Sequence, residues 1–81
     1  MGNVESFVIG TAEGCEVCIH DQYASNRHAR VTKDDDGRIW IEDLGSTNGT
    51  WLNGSRVYGK RLMQVGDVVR IGRTEIPWNE G

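Results

Sequence analysis

Proline is nearly missing from this chain: Pro77 is the single one among 81 residues. Long apolar runs are missing as well, and no stretch approaches the twenty or so residues of a membrane helix. No signal-peptide pattern precedes Val4, so the cytoplasm is the expected location and no membrane partner is expected. Basic charge is also in short supply. A net charge of −3 argues against general nucleic-acid binding, which needs a basic field over one face. A local anion site stays open, because a few oriented donors outweigh a weak overall charge. Cysteine is limited to Cys15 and Cys18, a lone C-x-x-C whose functional readings are half a zinc site or a redox pair. A structural zinc site needs two further ligands at matching spacing, and the only histidines are His20 and His28. No metal or cofactor is expected, and the two cysteines read as small hydrophobes in and beside a strand. Helical periodicity is absent too: no window places apolar residues at i, i+3, i+4 and i+7 behind a cap.

Glycine, by contrast, is abundant, at 11 residues with no repeating period. Such a density implies many tight turns between short strands. Strand signals recur along the chain. Phe7-Val8-Ile9 ends at Gly10, and Val17 and Ile19 flank Cys18. His28-Ala29-Arg30-Val31-Thr32 puts Ala29 and Val31 on one face. Arg38 to Leu44 does the same with Ile39 and Ile41. Between the last two, the acidic run ending in Asp36-Gly37 predicts a hairpin of the two-residue kind, solvated rather than metal-binding. Thr50-Trp51-Leu52 lies between Asn48-Gly49 and Asn53-Gly54. Asp67 to Gly72 and Thr74 to Trp78 complete the pattern, with Pro77 marking an edge. Even spacing of short strands predicts one all-β domain over residues 1–81, a sandwich or small barrel. Trp40, Trp51 and Trp78 are available for packing. A chain this short buries only about 60% of its unfolded surface, so the core is modest.

Catalysis finds little support. Ser25 and His28 stand three apart, and Asp21 or Asp43 completes a triad on paper. The segment leads into a strand, however, and nucleophile-elbow glycines are missing around Ser25. No enzymatic activity is expected. The same residues make better sense as donors. Tyr23 to Ala29 and Leu44 to Gly54 are rich in hydroxyls and amides and poor in carboxylates. A phosphoryl group, with about −1.5 to −2 charges and three acceptor oxygens, suits such a lining.

Taken together, Gly10, Ser25-x-x-His28-Ala29, Asp43-Leu44-Gly45-Ser46-Thr47-Asn48-Gly49-Thr50, Leu62, Gly66-Asp67 and Ile71-Gly72 resemble the forkhead-associated (FHA) domain. The resemblance implies a β-sandwich of short, mainly antiparallel strands. It also implies a partner carrying phosphothreonine, recognised in Ser/Thr kinase signalling or regulated assembly. On this resemblance Ser25 binds the phosphate through hydroxyl and backbone, Asn26 donates beside it, and Thr47 reaches it with its hydroxyl. Asn48 holds the peptide backbone. His28 and Gly49 support the site, as does Gly10. The alternative within the family is a fold that binds a protein partner, or itself, without phosphate. The sequons at Asn48 and Asn53 read as by-products of turn chemistry.

Two departures from the family pattern stand out. Gly10 is followed by Thr11 where the family carries an arginine that pairs with the phosphate. A hydrogen bond to a charged group contributes about 1.5–3 kcal/mol, so its loss weakens binding roughly 10- to 150-fold. Arg27, Arg30, Lys60, Arg61 and Arg73 are the cations weighed as substitutes, and each reads first as a solvated surface charge. The second departure is that family members carry strands before the segment that opens here at Phe7. An edge left open by their shortage predicts strand exchange or a homodimer.

Overall fold

The alternation at residues 29–33 and 39–43 is realised as two paired strands. In β3 (Ala29–Lys33) Ala29 and Val31 are buried, and in β4 (Ile39–Asp43) Ile39 and Ile41 are buried. Val31 lies directly opposite Ile41, so one face of the pair is continuous hydrocarbon. The computed structural model describes residues 4–79, and what the sequence suggested for residues 1–3 lies outside them. The other strands are β1 (Glu5–Gly10), β2 (Val17–Cys18), β5 (Trp51–Leu52), β6 (Ser55–Arg56), β7 (Lys60–Met63), β8 (Val68–Ile71) and β9 (Thr74–Pro77).

They form two sheets, a five-stranded one in the order β2-β1-β3-β4-β7 and a four-stranded one in the order β6-β5-β8-β9. Among the described residues, β1 and β2 form the one parallel pair. Ile9, Val31 and Ile41 from the first sheet meet Val69 and Ile71 from the second, all with no solvent exposure. Each such side chain contributes about 1.5–3 kcal/mol by leaving water, and this layer is what joins the sheets. Trp78 closes the core, its ring edge-on to Phe7 at a centroid distance of 5.6 Å. The all-β sandwich expected from the sequence is the fold observed, and β9, which holds Pro77, is a sheet edge.

Local detail refines the sequence reading in several places. The Asp36-Gly37 turn is not of the two-residue type: Gly37 alone has a positive φ, 82°. Asp34 builds a longer turn instead, accepting hydrogen bonds from the backbone N–H of Asp36 and Arg38 and from the Trp40 indole. The sequence reading passed over β6 and β7. In β7, Leu62 is 51% exposed while Met63 is 3% exposed, and Lys60 and Arg61 obscure the short alternation. Trp40 and Trp51 stay half-buried on outer faces, Trp40 under Lys60 and Trp51 between Arg56 and Arg70. Cys15 and Cys18 do lie beside and in β2, yet Cys15 is half-buried and Cys18 exposed, so neither packs as a core hydrophobe.

Register brings three chain ends together. Ile9 pairs with Ala29, and Ala29 pairs with Asp43. The exit of β1, the entry of β3 and the exit of β4 therefore share one end of the first sheet. From Asp43 the chain must cross to β5 in the other sheet. Residues 44–50 consequently cap that end, and Asn48-Gly49 is a crossing between sheets rather than a hairpin. The true two-residue hairpin is Asn53-Gly54, joining β5 to β6 with φ of 50° and 86°.

Candidate functional site

Asp43 organises the crossing loop. Its carboxylate accepts hydrogen bonds from the hydroxyls of Ser46 at 2.6 Å and Thr50 at 2.7 Å. It also accepts from the backbone N–H groups of Ser46 at 3.0 Å and Gly45 at 3.2 Å. Ser46 Oγ in turn accepts from Gly49 N at 2.9 Å. Burial pushes the Asp43 carboxyl up, but the bonds from Ser46 and Thr50 outweigh it and hold the group below its ordinary range. With its turns closed internally, the loop leaves Thr47 and Asn48 at the surface.

His28 ties this loop to the one before β3. The imidazole is fully buried. Its Nδ1 accepts from Ser25 N at 3.0 Å, which places the ring proton on Nε2, and Nε2 donates to the Gly49 carbonyl at 2.7 Å. Both ring nitrogens are thereby engaged in joining the loop before β3 to the crossing loop. No ring nitrogen is left for the Ser25 hydroxyl, and Asp21 and Asp43 are engaged with other partners. The triad drawn on paper does not assemble. Asp21 instead accepts from Tyr23 N, Arg73 N and the Thr74 hydroxyl, bonds that hold its carboxyl below the ordinary range.

The remaining residues singled out by sequence converge on the same surface. Ser25 Oγ lies 3.5 Å from Thr47 N. Asn48 donates its side-chain amide to the Tyr23 carbonyl at 2.9 Å, fixing its orientation before any partner arrives. Thr11 bonds Ser25 through the backbone at 3.2 Å and donates its hydroxyl to Asn26 Oδ1 at 2.9 Å. With Oδ1 engaged, the amide group of Asn26 is directed away from Thr11. Gly10 is required by close approach: a Cβ there would collide with the carbonyl of Asn26. Gly49 has a φ of 96°, a left-handed conformation that side chains resist, and it lies buried.

Three of the cations named for the phosphate have other engagements. Arg30 pairs with Glu42 at 2.7 Å, Lys60 covers Trp40, and Arg73 covers Tyr23. The cation that the sequence reading missed is Arg56. A Cβ added to Gly49 would meet its guanidinium, so Arg56 covers the backbone one residue beyond Asn48. It is held between the rings of Trp51 at 5.1 Å and Tyr58 at 5.3 Å. It makes no ion pair among the described residues. Its position next to Trp51 across the Asn53-Gly54 hairpin was the available signal, since Trp51 and Arg56 are direct cross-strand partners.

An antiparallel sandwich whose loops gather hydroxyls and amides at one end defines a binding module of the ligand-at-the-loops kind. The FHA domain profile matches residues 7–72, and the chain belongs to that family. It is 43% identical over 77 residues to the FHA domain-containing protein FhaB of Mycolicibacterium smegmatis, covering 94% of this chain and 48% of FhaB. The chain therefore spans about half the length of that curated relative. Among solved structures it is similar to the FHA-2 domain of the Mycobacterium tuberculosis ABC transporter Rv1747. There the TM-score is 0.82 and the identity 36%, over 94% of this chain and 68% of that one. It is also similar to the N-terminal FHA domain of S. cerevisiae Rad53p bound to a phosphothreonine peptide. That match has a TM-score of 0.77 at 31% identity, over 84% of this chain and 56% of that one.

Proposed function

We propose that this chain recognises phosphothreonine in a protein partner and so mediates kinase-dependent assembly, without catalysis of its own. The observation that carries this is the locked juxtaposition of two donor loops. His28 fixes both Ser25 and Gly49, leaving Ser25, Asn26, Thr47 and Asn48 at one surface with no carboxylate bonded among them. Ser25 and Thr47 offer hydroxyls and the Thr47 backbone N–H to a phosphate. Asn26 adds an amide that Thr11 orients. Asn48 exchanges its bond to the Tyr23 carbonyl for one to the bound peptide backbone. The charge lost at position 11 is supplied at longer range by Arg56, which its two aromatic neighbours hold beside Gly49. That Rad53p binds a phosphothreonine peptide through the same fold supports the choice of ligand.

The test is a titration with matched phosphothreonine, phosphoserine and unmodified peptides, repeated with Ser25→Ala and Asn48→Ala. Preference for the phosphothreonine peptide, reduced about tenfold or more by either substitution, is the expected result. Equal affinity for the modified and unmodified peptides would overturn the reading.

A further inference from the structure

Neither thiol is used by the core or by the donor set, yet both reach into the candidate site. Cys15 Sγ donates to the Asn26 carbonyl at 3.2 Å, and Cys18 Sγ donates to the Thr11 carbonyl at 3.7 Å. Those two carbonyls belong to the residue pair whose side chains bond each other, Thr11 Oγ1 to Asn26 Oδ1. The same Asn26 carbonyl also accepts from Ala12 N at 3.2 Å, and Cys15 N donates to the Ala12 carbonyl at 3.1 Å. Both sulfurs therefore donate to carbonyls of one junction, where the loop after β1 joins the loop before β3. Cys18 is exposed and Cys15 half-buried, so a small oxidant in solvent reaches them.

We propose that Cys15 and Cys18 form a modification site, a dithiol that hydrogen peroxide converts to a disulfide, and that this conversion weakens phosphopeptide binding. The inference rests on the reading of the site given above. In the first step one sulfur, Cys18 by its exposure, attacks a peroxide oxygen as thiolate. The O–O bond breaks, a sulfenic acid forms, and the departing hydroxide takes up the proton the thiol released and leaves as water. In the second step Cys15 attacks the sulfenic sulfur, the S–O bond breaks and a second water leaves. Two sulfurs have each given up a hydrogen, and two electrons have reduced the peroxide. A disulfide carries no S–H, so the Thr11 and Asn26 carbonyls both lose a donor at once. Drawing the sulfurs together also pulls β2 toward the 11–15 turn. The Thr11–Asn26 pair loosens, and the Asn26 amide is no longer directed.

The experiment compares reduced and peroxide-treated chain by mass spectrometry, phosphopeptide titration and amide hydrogen exchange. Expected are the loss of two hydrogens, binding weakened about tenfold, faster exchange at residues 11, 12 and 15, whose N–H groups donate at the junction, and full recovery with dithiothreitol. Cys18→Ser, which keeps a donor but cannot form the disulfide, is expected to make binding indifferent to peroxide. A disulfide that leaves binding and exchange unchanged would overturn the proposal, as would thiols that stay unlinked under peroxide. Should the reduced chain bind no phosphopeptide, the reading of the function fails by itself. The exchange rates then decide the dithiol: accelerated exchange on oxidation supports it and unchanged exchange overturns it.

Discussion

The loop at residues 44–50 is held by its own residues: Asp43, Ser46, Gly49 and Thr50 bond one another within seven positions. The loops on either side of β2 are held differently. Thr11, Ala12 and Cys15 bond Ser25 and Asn26 across gaps such as the fifteen positions between Thr11 and Asn26. One half of the site is a local device with a carboxylate at its centre. The other is a mutual arrangement that exists only once β1 and β3 have paired. A local device fails when its centre is removed, whereas a mutual one fails when either side is pushed away. The His28 ring bonds both halves, through Ser25 N on one side and the Gly49 carbonyl on the other.

Asp43→Ala should have the largest effect, because it leaves the fully buried Thr50 hydroxyl and that of Ser46 without their acceptor. We expect a loss of about 3 kcal/mol of folding stability, read by chemical denaturation, with chemical-shift changes centred on residues 44–50. A pH profile sharpens the point. The bonds to Asp43 favour its charged form, so its native pKa lies below the ordinary 3.8. Its contribution is complete above that unfolded value and is lost as pH falls through the lower native one. The wild-type chain should therefore shed stability in strong acid by a component that Asp43→Ala lacks. Matching acid profiles for the two proteins would remove Asp43 from the centre of the loop.

Gly10→Ala tests the mutual half. The added methyl must displace the Asn26 carbonyl, a backbone atom that a rotamer change cannot clear. A cost of about 2 kcal/mol is expected. Shifts should spread over residues 11–18 and 25–27 together while 44–47 keep theirs. A disturbance confined to one of those two segments would mean they do not depend on each other. The smallest effect belongs to Thr11→Val, which keeps the shape and removes the hydroxyl on Asn26 Oδ1. Stability should change by less than about 0.5 kcal/mol, while phosphopeptide affinity falls about threefold. Unchanged affinity would show that Asn26 needs no orientation by Thr11.

Much of this was legible before the structure. Period-two burial at Ala29, Val31, Ile39 and Ile41 follows from the pleat alone, since neighbouring side chains must face opposite ways. The motif around Asp43 to Thr50 also announces itself, because its partners are close in sequence. The role of Asp43 itself was less plain, since a carboxylate beside a donor loop reads as unfavourable until its own hydrogen bonds are seen. The contacts of Arg56 and of the two thiols escaped the sequence for a shared reason. Their partners lie in other loops or on a neighbouring strand, and composition could show only an ordinary cation and a C-x-x-C without further ligands.

By itself, then, the sequence determined the sandwich, the strand faces and the residue types gathered at one end. Alternation and turn chemistry act over a few bonds, and they are written in neighbouring letters. Tertiary structure alone decided that Thr11 orients Asn26, that Arg56 covers Gly49, and that two thiols hold the carbonyls of the Thr11–Asn26 pair. The contacts to Asn26 depend on register between strands distant in the chain, and that of Arg56 on a hairpin folding back over the crossing loop. Register is set by the burial of the whole sheet, not by the residues it happens to bring together.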